Sequence, residues 1–190
     1  MFKKSLLCLS LLFLVVTTVP AREVGRIDVP ETLTLEDGAT SLVLNGAGVR
    51  SRFGFKVYVG SLYLKEKSSD SKIIAAADEP MAITMVWVRD IPLDKITDVY
   101  VEAFKYAAIN KDESLQKNID AFMAALRPCE KNAVTKIVYI PGKGTSMYYN
   151  DTQTLHVEGM AFKESLFRIW LLEEDTFTGD KTVRAGMLGK

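Results

Sequence analysis

The residues whose types and spacing could do chemistry lie in one stretch, Asn45-Gly46-Ala47-Gly48-Val49-Arg50 followed by Phe55-Lys56-Val57-Tyr58. A turn near Phe53-Gly54 would fold it into a hairpin. With Gly54 at the centre of a three-residue turn, positions summing to 108 oppose one another, and Arg50 faces Tyr58. Side chains so opposed stand about 5 Å apart at Cβ, close enough to share a ligand. A guanidinium is a planar fork of donors suited to a carboxylate, and a phenol adds one more donor. Gly46 and Gly48 leave backbone bare where a ligand chain could lie. The spacing leaves two readings open: an anion clamp at the mouth of an apolar cleft, or an edge arginine in solvent beside a core tyrosine. A one-residue change of register would break the pairing.

Other chemistry is thin. His156 is the only histidine, on an expected strand between Leu155 and Val157. A Ser–His–Asp or Cys–His unit would need a nucleophile beside it, and no G-x-S-x-G elbow occurs. Carboxylates show no clustered pattern, so no metal site is expected. Gly142-Lys143-Gly144-Thr145 lacks the earlier glycine of a phosphate loop and sits between strands, so it reads as a turn. No G-x-G-x-x-G is present, and no nicotinamide or flavin cofactor is expected. Cys129 follows Arg127-Pro128 with Lys131 as its one nearby activator, and reads as structural.

The elements that must position Arg50 and Tyr58 follow from periodicity. Thr32 to Glu36 alternates apolar and polar, Asp37-Gly38 is a turn signal, and Ser41 to Arg50 resumes as strand. Phe55 to Leu64 is rich in aromatic and β-branched residues and reads as strand. A short helix is expected over Asp70 to Ala77, then a strand over Met81 to Arg89. The period then becomes helical: Leu93, Ile96, Tyr100, Ala103, Phe104 and Ala107 share a face, as do Leu115, Ile119, Phe122, Met123 and Leu126. Val134 to Ile140 is an expected strand. Thr145 to Tyr149 and Thr152 to Val157 form a hairpin across Asn150-Asp151. A last helix spans Phe162 to Leu172, with Phe162, Leu166, Ile169 and Trp170 on its bulky face. The pattern is α+β: one antiparallel sheet with helices on one face.

Gly46-Ala47-Gly48-Val49-Arg50, then Lys56-Val57-Tyr58, then Gly60 to Leu64 with Tyr63, resembles the signature of the chalcone isomerase family, closest to its bacterial exported branch. Trp87 to Asp90, Tyr139 to Thr145 and Phe167 to Leu171 agree in order and spacing, so the likeness covers about Leu33 to Leu188. The resemblance implies an open-faced β-sandwich, a large antiparallel sheet covered by helices, with a ligand cleft between them and no cofactor. Plant members either close a flavanone ring or bind fatty acids in that cleft, and in both the arginine matching Arg50 contacts the ligand. The fatty-acid binders have a tyrosine similar to Tyr58 beside it, where the enzymes have a threonine. The tyrosine and asparagine that complete the enzymatic set fall on Pro92 and Val99, which carry no polar side-chain group. Tyr100, nearby, lies on the apolar stripe and reads as core. Leu171-Leu172-Glu173 replaces a glycine usual in the bacterial branch, which touches only a local turn. The candidate ligand-binding residues are Arg50, Tyr58 and Tyr63, with no catalytic residue assigned.

The chain begins with Lys3 and Lys4, an apolar run from Leu6 to Val16, and Val19-Pro20-Ala21, the layout of a cleavable export signal over residues 1–21. The run is shorter than the roughly 20 apolar residues of a membrane span. Residues 22–190 are then one domain. Without Lys3 and Lys4 the balance is 22 basic against 24 acidic residues, a net charge of −2 with no basic block for nucleic acid. Cys8 leaves with the signal, so no intramolecular disulfide is expected, and a core drawn from 48% hydrophobic residues must hold the fold. A bacterial periplasm suits these features. Three functions remain open: binding of a small acidic amphiphile such as a fatty acid; an isomerase or intramolecular lyase on an enone-like substrate; and a cell-envelope interaction protein with a closed core.

Overall fold

The computed structural model describes residues 20–36, 38–109, 112–172 and 181–190. Most of the expected signal segment, Asp37 of the first turn, and Glu173 lie outside the described residues. The chain opens with a hairpin of β1 (Ala21–Val24) and β2 (Ile27–Pro30), which pattern reading had not found. Seven strands then form one antiparallel sheet in chain order: β3 (Thr32–Thr34), β4 (Ser41–Arg52), β5 (Phe55–Leu64), β6 (Met81–Trp87), β7 (Val134–Ile140), β8 (Gly144–Tyr149) and β9 (Thr152–Val157). Helix α1 (Ser71–Ala76) links β5 to β6, and α2 (Leu93–Ala107) and α3 (Glu113–Ala125) link β6 to β7. Helices α4 (Met160–Leu171) and α5 (Lys181–Met187) follow β9. The expected α+β sheet with helices on one face is what the chain forms.

Alternation along the strands divides the core. Tyr58, Leu62, Leu64, Met81, Ile83, Met85 and Trp87 join the helix-side cluster with Phe104, Phe122, Phe162 and Trp170. Val59, Tyr63 and Ala82, at the intervening positions, join a smaller cluster on the other face with Val29, Leu42 and Leu44. This is the period of two expected of a sheet buried on both sides. Helix α4 is buried nearly all round rather than on the one bulky face that its sequence suggested. The reason is its central place: α1, α2, α3 and α5 all pack on it. Lys163 on α4 is fully buried, and its Nζ donates to the carbonyls of Ile74, Ala75 and Ala77 at 3.2, 2.8 and 2.6 Å, closing the C-terminal end of α1.

Two irregularities in β4–β5 decide what faces the helices. The turn is two residues long, Phe53 (φ +50°) and Gly54 (φ +79°), with Arg52 paired to Phe55 and Ser51 to Lys56. One extra residue in β5, Val57, then shifts the register so that Arg50 pairs with Tyr58. A second shift leaves Asn45 extra in β4, between the pairs Leu44–Tyr63 and Gly46–Leu62. Bulges of this kind turn a strand over. Leu42 and Leu44 therefore face the outer cluster, whereas Gly46, Gly48 and Arg50 face the helices.

Candidate functional site

Arg50 and Tyr58 are direct cross-strand partners, as the spacing predicted, though by a two-residue turn plus a bulge rather than a three-residue turn. Neither stands in solvent: Arg50 is 9% exposed and Tyr58 8%. Both line a cleft of about 570 Å³ between the β4–β5 hairpin and the N-terminal half of α2. That volume falls within the roughly 300–1,000 Å³ typical of small-molecule sites.

The cleft has an apolar floor and a charged rim. Tyr58, Trp87, Tyr100, Ile169 and Trp170 supply the inner wall, and Ile96 and Val99 the α2 side. The aromatic rings hold one another in place. Tyr58 meets Trp87 edge-on at 5.2 Å between centroids, and Tyr100 meets Phe122 and Trp170 at 4.9 and 6.2 Å. Trp170 Nε1 donates to the Tyr58 hydroxyl at 3.0 Å, so the phenol oxygen accepts from the indole. Tyr100 is buried, and desolvation, with Tyr58 and Cys129 adding to it, holds its phenol well above the ordinary range. Tyr100 is thus core, as its place on the apolar stripe suggested, and cleft wall as well. Around the mouth lie Arg52, Arg89, Lys95, Asp90 and Asp98.

Pro92 and Val99 also line the cleft. The two positions matched to the plant enzymes' polar pair therefore face the site, and they face it without a polar side-chain group. Pro92 occupies the N-cap of α2 with no side-chain cap bond.

Tyr63 needs correcting. It is five residues from Tyr58 on the same strand, an odd spacing, and so points to the opposite face. There it is 1% exposed, and its hydroxyl donates to the Pro30 carbonyl at 3.0 Å. It anchors the β1–β2 hairpin and does not line the cleft.

Gly46 and Gly48 have a different use from the expected ligand track. A Cβ on Gly46 would lie 2.1 Å from the Gly186 carbonyl oxygen, and one on Gly48 2.8 Å from that of Thr182. Gly60, beside them on β5, would meet Met187 Cε at 2.6 Å, and Gly186 would meet the Ala47 carbonyl oxygen at 2.4 Å. These glycines admit the backbone of α5 onto the strands. Asn45 secures the contact: its Nδ2 donates to the Met187 and Ser68 carbonyls at 2.7 and 2.9 Å, and its Oδ1 accepts from Ser68 N at 2.8 Å. The sequence placed Asn45 in the stretch of interest without giving it a role; an amide next to a glycine run is the signal that could have suggested one.

The remaining candidates stay outside the cleft. His156 on the edge strand β9 pairs across to Ser146 on β8, Nδ1 to Oγ at 3.0 Å, at an exposed position. Ser146 had not been foreseen as its neighbour. Cys129 is 5% exposed and burial pushes its thiol up to about 12, away from thiolate chemistry. Gly142-Lys143-Gly144 is a turn, closed by Lys143 N to the Ile140 carbonyl at 3.0 Å. Among the described residues no cluster could hold a metal ion, and no helix is long and apolar enough to cross a membrane.

A family model described as chalcone isomerase-like matches residues 21–189. A fatty-acid binding protein from Arabidopsis thaliana has the same fold, with a TM-score of 0.57 at 17% identity, covering 83% of this chain and 96% of that one. No curated protein matches the sequence.

Proposed function

This chain belongs to the chalcone isomerase-like family, and we propose that it is a non-catalytic binding protein for a small acidic amphiphile such as a fatty acid. The observation that carries this reading is the buried Arg50–Tyr58 pair at the wall of an aromatic cleft of about 570 Å³. A carboxylate would meet a fork of charged donors from Arg50 and the O–H of Tyr58, while the tail lies against Trp87, Tyr100, Ile169 and Trp170. The fatty-acid binding protein that shares the fold supports the same ligand class. Pro92 and Val99 weigh against an isomerase on an enone-like substrate, since that chemistry needs a polar group opposite the arginine. The volume of the cleft weighs against a closed, purely structural core.

Export belongs to the same proposal. Lys3, Lys4 and the apolar run to Val16 support removal of residues 1–21 and a periplasmic protein. The mature mass measured on periplasmic protein should begin at Arg22.

Native mass spectrometry of the purified protein, followed by organic extraction, tests the ligand. An acidic lipid should accompany the wild type and be absent from Arg50→Ala. Losing a charge-assisted hydrogen bond should weaken added fatty acid by about 10- to 100-fold. Empty wild-type protein that also ignores added fatty acid would sink the reading.

A further inference from the structure

Resting on that ligand-binding reading, we propose that the tip of the β4–β5 hairpin docks on an anionic lipid bilayer, with the mouth of the cleft at headgroup level. Phe53 is 86% exposed and Phe55 64%, and among the described residues no large apolar side chain is more exposed than Phe53. Isolated exposed apolar residues are ordinary. These two flank Gly54 at one turn, and Phe53 has φ +50° where a two-residue hairpin turn favours Asn, Asp or Gly. Water and backbone both disfavour an aromatic ring there, so neither folding nor solubility accounts for it.

The charges point to the partner. The Arg52 guanidinium stands over the Phe53 ring at 5.2 Å, and that of Arg89 over Phe55 at 5.4 Å. An arginine stacked on a ring suits the bilayer interface, with the ring at the acyl boundary and the guanidinium on phosphate. Lys56 adds another cation at this end, whereas Lys95 is paired with Asp94 and Asp98 at 3.4 and 4.0 Å and adds no net positive charge. Asp90, which accepts from the Lys131 backbone N–H at 2.7 Å, keeps its charge, so among these described groups Arg52, Arg89 and Lys56 outnumber it. The chain as a whole has 24 basic and 24 acidic residues, so the cationic rim is local.

Location gives the surface its use. Arg52, Phe53, Phe55 and Arg89 belong to the wall of the cleft that holds Arg50. A bilayer seated on the tip would face that mouth, and an amphiphile could pass between the two without crossing water.

Vesicle flotation of the purified chain tests this. It should float with mixed phosphatidylglycerol–phosphatidylcholine vesicles, not with phosphatidylcholine alone, and be released by raised salt. Phe53→Asn and Phe55→Ser, both at exposed positions, should each weaken binding about tenfold, and Arg52→Gln about fivefold. Fatty-acid titration without vesicles separates the two ideas. A folded wild type that binds fatty acid yet ignores anionic vesicles overturns the docking surface and leaves the ligand reading intact. Flotation with no fatty-acid binding removes the ligand reading instead. A concentration-dependent dimer abolished by Phe53→Asn, without flotation, assigns the tip to a second copy of the chain and also overturns the proposal.

Discussion

Tyr58 joins two jobs in one side chain, since its oxygen accepts the Trp170 indole N–H while its ring packs against Trp87. Tyr58→Phe keeps the packing and leaves a buried indole donor without that acceptor. The expected cost is about 1–3 kcal/mol of stability, read from urea unfolding, together with weaker fatty-acid binding. A variant as stable as wild type would mean that the hydroxyl contributes little to the wall. The pairing of Arg50 with Tyr58 matches the spacing argument, but by compensation: a turn one residue shorter than expected is offset by the extra residue Val57 in β5. A count along β5 should have removed Tyr63, whose odd separation from Tyr58 sends it to the β1–β2 side.

At the scale of elements, the glycines of β4 are the instructive case. Gly46 and Gly48 looked like bare backbone waiting for a ligand, and the element that fills the space comes about 140 residues later in the chain. Gly46→Ala would drive a methyl group into the Gly186 carbonyl, where backbone meets backbone and no rotamer can yield. The expected loss is about 3 kcal/mol or more, seen as a lowered unfolding midpoint and earlier proteolysis at the C-terminal end. Phe53→Asn should act in the opposite direction. It relieves a left-handed aromatic residue and should raise stability by about 1 kcal/mol in the same assay. That gain, set beside the loss of vesicle binding, would show a turn kept against its own local preference.

For the whole molecule, proton linkage sets the alkaline limit. Burial raises the Tyr63 phenol from 10.0 to about 12 and the Cys129 thiol from 9.0 to about 12, and Tyr100 rises as well. The native state keeps these protons after the unfolded chain has lost them. Their contribution is present below pH 9 and is lost as pH rises toward about 12. Lys163 runs the other way, lowered from 10.5 to about 8 by desolvation, so its contribution grows as pH climbs between those values. The urea midpoint should therefore fall most steeply above pH 10.5. The rise from pH 8 to about 9, before the Cys129 thiol and then the phenols oppose it, should vanish in Lys163→Met, which loses some stability at every pH through the three carbonyls. A midpoint flat from pH 10.5 to 12 would contradict the burial of these phenols.

What the sequence determined by itself was local and periodic. Alternation placed the strands, apolar stripes placed α2 and α3, Asp70 began α1, and the turn at Phe53-Gly54 set β4 against β5, with the bulge at Val57 bringing Arg50 opposite Tyr58. What the tertiary structure alone decided depends on chain segments far apart in sequence. The face that each half of β4 presents turns on a single extra residue, Asn45, held by the loop before α1 and the end of α5. The purpose of the glycines appears once α5 has docked, and α4 is buried all round because four helices surround it. The cleft itself is set by the distance between α2 and a hairpin more than thirty residues earlier. Such distances are fixed by packing, which no short-range pattern records.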